Sequence, residues 1–229
     1  MNVAIIVAAG QGTRMGGERA KQFLELAGTP IIIHTLKAFE QCEVIQEIIV
    51  VLAAQESASF LSLAGKYSLQ KLSKVVPGGI TRCESVLHGL QAVRAATAEV
   101  VAVHDGVRPF ITPDEITRTV KAAAEHEAAV LVATVTDTIK EVKDGWIVRT
   151  LIRSQLRRAL TPQCFHYSLL RRAYEHADVM NPDLTDDSVL VEMLGKDVAI
   201  VEGSARNIKI TTPDDLAIAA AIIKAGLWS

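Results

Sequence analysis

The chain has almost no charge of one sign in excess, few aromatic side chains, no paired cysteines and no long apolar run. Each shortage removes a class of function. A formal charge of −2 and a pI near 6.3 supply no global basic field for a polyanion. Any phosphate ligand must then be met by a local cluster of cations. Aromatic residues make up only 4%, too few for a platform that stacks the bases of a single strand. Both points count against a nucleic-acid partner. Cys42, Cys83 and Cys164 are odd in number and far apart, with no CxxC or Cys/His zinc spacing. They read as reduced, buried thiols. No apolar run approaches the ~18 residues of a membrane span. Met1 leads straight into a strand-like segment without a basic n-region. A soluble, cytoplasmic protein without a membrane partner is expected.

What is present is a large apolar fraction, 49% of 229 residues, in alternating short blocks. Apolar β-branched runs at residues 3–7, 47–52, 99–104 and 129–135 read as buried strands, with a minimal one at Val75-Val76. Helical spacing occupies residues 31–39, 56–67 and 81–96. Thr112-Pro-Asp-Glu115 is a capping box that starts another helix, and Thr212-Pro-Asp-Asp215 repeats the device near the end of the chain. Helices at 167–176 and 187–194 and a strand at 198–201 complete the pattern, and residues 153–166 receive no element. Alternating strand and helix predict an α/β fold, a Rossmann-like, mostly parallel sheet with helices on both faces. Residues 138–152 depart from it: two extended arms surround Asp144-Gly145, a two-residue hairpin signal. One domain spanning 1–229, with an arm inserted at about 137–155, is the expected organisation.

In an open α/β sheet, ligands bind outside the carboxyl ends of the strands. Three predicted strands end in unusual loops at residues 10–21, 77–79 and 105–109, so topology alone brings these loops to one crevice. The first carries Gly10, Gly12, Arg14, Met15, Gly16, Gly17 and Lys21. Met15 takes the place of the third glycine of a dinucleotide fingerprint, and no Gly-Lys-Ser/Thr follows for a P-loop. A glycine-rich loop whose N–H groups approach phosphates remains. Gly79, Arg82 and Ser85 form a polar helix start suited to anions or base edges. Asp105, after a buried strand, suits Mg2+. His104 is rejected as a base, because a phosphate monoester is already an anionic nucleophile at neutral pH. The segment 206–210 reads as extended, with Asn207 and Lys209 on one face.

In order along the chain stand AAGxGxRM, Lys-Gln-Phe at 21–23, PGGxxRxxSVxxGL at 77–90, HDxxRP at 104–109, Thr-Asp-Thr at 136–138, LTPQ at 160–163, Thr-Asp-Asp at 185–187 and NIKITTPDDL at 207–216. This conjunction resembles the methylerythritol-phosphate cytidylyltransferases over nearly the full chain. The resemblance implies transfer of CMP from CTP to 2-C-methyl-D-erythritol 4-phosphate, a polyol phosphate, with release of pyrophosphate. It implies that Ala8, Ala9, Gly10, Gly12, Thr13, Gly79, Arg82 and Ser85 hold the nucleotide and that Arg14 and Lys21 stabilise the α-phosphate in flight. Asp105 would hold Mg2+ and substrate, while Arg108, Thr138, Arg153, Thr185 and Lys209 hold and aim the sugar phosphate. It also implies a homodimer joined through the arm, with Thr138 and Arg153 serving the neighbouring subunit. The rival readings are a ribitol 5-phosphate cytidylyltransferase and a non-catalytic nucleotide-binding or NAD-dependent protein. The absence of an acidic residue after Leu52 counts against a dinucleotide site.

Overall fold

The computed structural model describes residues 1–10, 20–181 and 183–227. Strand β1 (Val3–Ala8) is apolar throughout because both of its faces are covered. Ala4, Ile6 and Ala8 enter one hydrophobic layer, and Val3 and Ile5 the other. The remaining elements follow in chain order. They are β2 (Glu25–Leu26), β3 (Thr29–Pro30), α1 (Ile31–Gln41), β4 (Glu47–Leu52), α2 (Ser57–Ala64), β5 (Leu72–Pro77), α3 (Arg82–Gln91), β6 (Val100–Asp105) and α4 (Pro113–His126). Then come β7 (Ala128–Thr134), β8 (Lys140–Lys143), β9 (Trp146–Thr150), β10 (Arg157–His166), α5 (Tyr167–Glu175), α6 (Ser188–Met193), β11 (Ala199–Glu202) and α7 (Pro213–Lys224).

Seven strands form one sheet in the order β11-β7-β10-β6-β1-β4-β5. All pairings are parallel except those of β10, which runs antiparallel to both β6 and β7. Residues from α1, α2 and α4, among them Ile32, Leu36, Phe60, Ile116 and Val120, cover one face. Val86, Leu90, Leu169, Tyr174 and Leu190 from α3, α5 and α6 cover the other. The Rossmann-like arrangement expected from the alternation is what the chain adopts. Both capping boxes form, at Thr112–Glu115 and Thr212–Asp215.

The strand β10 has no counterpart in the sequence reading. Two arginines at its start and Pro162 within it resemble a loop, since proline donates no ladder hydrogen bond. The sheet accommodates Pro162 where the β10–β7 register shifts between Ala159 and Gln163. Helix α3 is shorter than the pattern over 81–96 suggested. Beyond Gln91, Val93 N–H bonds to Leu90 O at 3.1 Å, a tighter i−3 closure that ends the helix. The segment 206–210 is not a strand, and Asn207 is fully buried in it.

The hairpin forms as its Asp-Gly signal required. Asp144 and Gly145 have φ of 49° and 84°, the pair of positive values that a tight primed turn demands. Every residue of β8 and β9 is exposed, including Trp146 at 79%.

Candidate active site

Strands β1, β4, β5 and β6 end at a cleft of about 850 Å³. Its wall begins at Ala8, Ala9 and Gly10, directly after β1. Gln22 fixes the next piece: it is buried, and its amide donates to Ala8 O at 2.8 Å and to Glu56 Oε2 at 3.0 Å. That side chain pins the turn Lys21–Phe23 to the end of β1 and brings Lys21 into the lining. Gly12, Thr13 and Arg14 lie outside the described residues.

The second wall is the β5–α3 junction. Gly78 N–H continues the ladder to Leu52 O at 2.7 Å, and a Cβ on Gly78 would collide with that of Ala9. Glycine is needed here because the loop after β5 passes directly against Ala9, leaving no room for a side chain. Helix α3 is capped by Thr81, whose oxygen accepts from Glu84 N. Ser85 Oγ accepts from Gly79 N at 3.0 Å, and Glu84 accepts from Ile80 N at 2.6 Å. Gly79, Arg82 and Ser85 therefore meet at the cleft, with the loop held by its own helix.

The centre of the site is Asp105, at the end of β6. It is buried, and three cations surround it. Arg108 Nε and Lys209 Nζ lie 3.0 and 3.1 Å from Oδ2, and Arg82 Nε lies 3.5 Å from Oδ1. Burial alone would raise its pKa. Arg82, Lys209 and Arg108 outweigh that and hold it well below the usual carboxylate range. Lys209 reaches Asp105 because its segment is tied down on both sides. Ile210 N–H donates to Val107 O at 2.9 Å, Asn207 Nδ2 to Thr161 O at 2.8 Å, and Arg108 Nη1 to Asn207 O at 2.9 Å. A lysine read as one face of an extended run is thus half-buried and ion-paired.

Some of the chemistry had no signal in the sequence. Arg82 also pairs with Asp187, Nη2 to Oδ2, at 2.9 Å. Asp187 belongs to the Thr-Asp-Asp motif, but nothing in the spacing links it to a residue 105 positions away. Gln163 and Thr161, within LTPQ, support the site from β10. Gln163 Oε1 accepts from Asp187 N, and Thr161 Oγ1 bridges Asp105 N and His104 Nδ1. His104 is wholly buried, and burial pushes its pKa down to about 3. The imidazole is therefore neutral near pH 7.

Among the described residues, then, Ala8, Ala9, Gly10, Lys21, Gly79, Arg82, Ser85, Asp105 and Lys209 line one cleft, with Arg108 behind Asp105. Thr138, Arg153 and Thr185 are exposed and do not line it. Arg153 instead donates to Thr136 O at 2.7 Å, at the base of the arm. Three cations against Asp105 and Asp187 leave an excess of positive charge beside glycine-rich backbone, an arrangement that suits a polyphosphate. No cluster of three metal-ligating side chains exists among the described residues. Mg2+ requires none when substrate phosphates complete its shell, and Asp105 Oδ1, with only one long cation contact among them, is the carboxylate oxygen that fits it. No helix among the described residues is long and apolar enough to cross a membrane.

Known proteins resemble this chain over nearly its whole length. The family model described as 2-C-methyl-D-erythritol 4-phosphate cytidylyltransferase matches residues 2–225. Proteins of that name from Bacillus licheniformis and Pelotomaculum thermopropionicum are 45% and 44% identical over 226 and 224 residues. The alignments cover 98% and 97% of this chain and 97% and 94% of theirs. The crystal structure of 4-diphosphocytidyl-2C-methyl-D-erythritol synthase from Anaerococcus prevotii superposes with a TM-score of 0.86 at 32% identity, covering 97% of this chain and 96% of that one. The Thermus thermophilus 2-C-methyl-D-erythritol 4-phosphate cytidylyltransferase gives 0.77 at 32% identity, covering 96% and 98%. The chain belongs to the 2-C-methyl-D-erythritol 4-phosphate cytidylyltransferase family.

Proposed function

We propose that this protein transfers CMP from CTP to 2-C-methyl-D-erythritol 4-phosphate, forming the CDP-alcohol and pyrophosphate in isoprenoid biosynthesis. The observation that carries this reading is the convergence of Lys21, Arg82 and Lys209 on a glycine-rich cleft around Asp105. An oxygen of the sugar phosphate attacks the α-phosphorus of CTP. A new P–O bond forms there as the bond from the α-phosphorus to its β-bridging oxygen breaks, and that oxygen leaves on pyrophosphate. The attacking oxygen is already anionic, so no side chain has to remove a proton.

Each residue has a task in this scheme. The backbone of 8–10, with Gly79, Arg82 and Ser85, holds the nucleotide, together with Gly12 and Thr13. Lys21 and Arg14 bear on the charge that builds on the α-phosphoryl oxygens and the leaving oxygen. Lys209, Arg108 and Asp105 orient the sugar phosphate, joined by Thr185. Asp105 would hold Mg2+, and the ion would supply charge neutralisation when bound.

The active unit in this reading is a homodimer. The arm at about 137–155 is an insertion in one nucleotidyltransferase domain, and its exposed Val142, Trp146, Ile147, Val148 and Ile152 favour burial against a second copy. Thr138 and Arg153, which do not reach their own cleft, would then serve the partner's. We assign the enzyme to the cytoplasm, where CTP is available and the three free cysteines stay reduced. Pyrophosphate release on mixing the protein with CTP and either methylerythritol 4-phosphate or ribitol 5-phosphate is the test. Turnover with the first is expected; preference for the second, or none with either, would overturn the reading.

A further inference from the structure

Behind the cleft lies a buried support that the reaction itself does not use. Asp187 is only 1% exposed and does not line the cleft. Its Oδ1 accepts the Tyr174 hydroxyl at 2.6 Å, and its Oδ2 accepts Arg82 Nη2 at 2.9 Å. Its main chain is fixed as well, since Gln163 Oε1 accepts from Asp187 N at 2.9 Å and from Ser188 N at 3.1 Å. Gln163 is held in turn by Asp186, which accepts from its Nε2 at 2.9 Å. The strand β10, helix α5 and the start of α6 thus place one carboxylate.

That carboxylate competes for Arg82. A guanidinium next to a single free carboxylate closes into a two-bonded pair, which is both the strong and the geometrically preferred arrangement. Here Arg82 meets Asp105 through one contact of 3.5 Å, while its contact to Asp187 is 2.9 Å. Asp105 Oδ2 is already taken by Arg108 and Lys209. Without Asp187, Arg82 would close onto Oδ1 and turn its guanidinium away from an incoming nucleotide.

We propose that Asp187, braced by Tyr174 and Gln163, is a positioning residue that tethers Arg82 away from Asp105 and keeps its guanidinium available to CTP. The proposal rests on the reading of this cleft as the CTP site. It differs from a role in holding the fold together, because it acts through Arg82 and on one substrate only.

Initial-rate kinetics and calorimetric CTP binding on Asp187→Asn and Tyr174→Phe, each also in an Arg82→Ala background, separate the two. Asp187→Asn should raise KM and Kd for CTP on the order of tenfold, by analogy with losing the outer partner of a metal ligand. Tyr174→Phe, which keeps the ring in its packing, should raise both about threefold, with KM for methylerythritol 4-phosphate unchanged within about twofold. In the Arg82→Ala background neither change should add anything. Unmoved CTP constants in Tyr174→Phe overturn the tether, as does a rise that persists without Arg82 or appears equally for both substrates. Should Asp187→Asn fail to fold, Tyr174→Phe decides alone. A wild-type protein that binds CTP without turnover would sink the functional reading, while the calorimetric comparison still tests the tether.

Discussion

At Asp105, burial and charge pull in opposite directions, and the three cations win. Because its pKa is depressed, it contributes stability fully above the unfolded carboxylate range near pH 4, and loses it only as acid overcomes the pairing. Asp105→Asn would leave Arg82, Arg108 and Lys209 facing one another. It should abolish turnover and cost about 3 kcal/mol of stability, the scale of a broken buried pair, measured by chemical denaturation. His104 sets a different pH window. Its pKa of about 3 in the folded state lies below the ~6.5 of an unfolded histidine, so the unfolded chain gains a proton first as pH falls. Between about pH 6.5 and 3 this residue should cost stability at roughly 1.4 kcal/mol per pH unit. Denaturation midpoints at pH 7.5 and 5.5 check this: the fall between them should shrink in His104→Gln, and an equal fall would contradict it. Lys21→Ala should lower kcat on the order of 10²-fold, the scale of losing one preorganised donor, with KM for CTP little changed. A raised KM with normal kcat would make Lys21 a binding residue only.

Among elements, α3 packs closely on the sheet at Gly89. A Cβ on Gly89 would stand 2.6 Å from Ile5 Cγ2 and 3.0 Å from Val51 Cγ2. Alanine gains about 1 kcal/mol in helix propensity, but overpacking typically costs 1–3 kcal/mol. Gly89→Ala should therefore destabilise by about 1 kcal/mol on balance, and a raised Tm would contradict the packing described. The elements also mark how far the sequence could be read. Continuous apolar runs and two capping boxes identified the parallel strands and the starts of α4 and α7, because those signals are local. β10 was illegible, since its place between β6 and β7 is set by partners far along the chain and its Arg157, Arg158 and Pro162 resemble a loop. The site divides in the same way. Lys21, Gly79, Arg82 and Asp105 were legible because strand ends converge by topology. The Arg82–Asp187 pair was not, for it joins residues that only the finished fold brings together.

For the whole molecule, the exposed arm is the feature a lone subunit leaves unexplained. If it exchanges between two copies, Thr138 and Arg153 complete the partner's cleft. Mixing the impaired Arg153→Ala and Lys21→Ala proteins should then raise activity well above that of either parent, because a heterodimer assembles one site from two sound halves. A monomeric mass in solution, or no recovery after proven subunit exchange, would leave the arm a packing element. In the proposed reading, the cleft where β1, β4, β5 and β6 end moves the α-phosphoryl group of CTP to a sugar phosphate. The most direct measurement follows a label on the α-phosphorus of CTP through a single turnover with methylerythritol 4-phosphate. All transferred label should appear in the CDP-alcohol, one for each unlabelled pyrophosphate released. Label in free CMP, or pyrophosphate without labelled CDP-alcohol, would contradict the account.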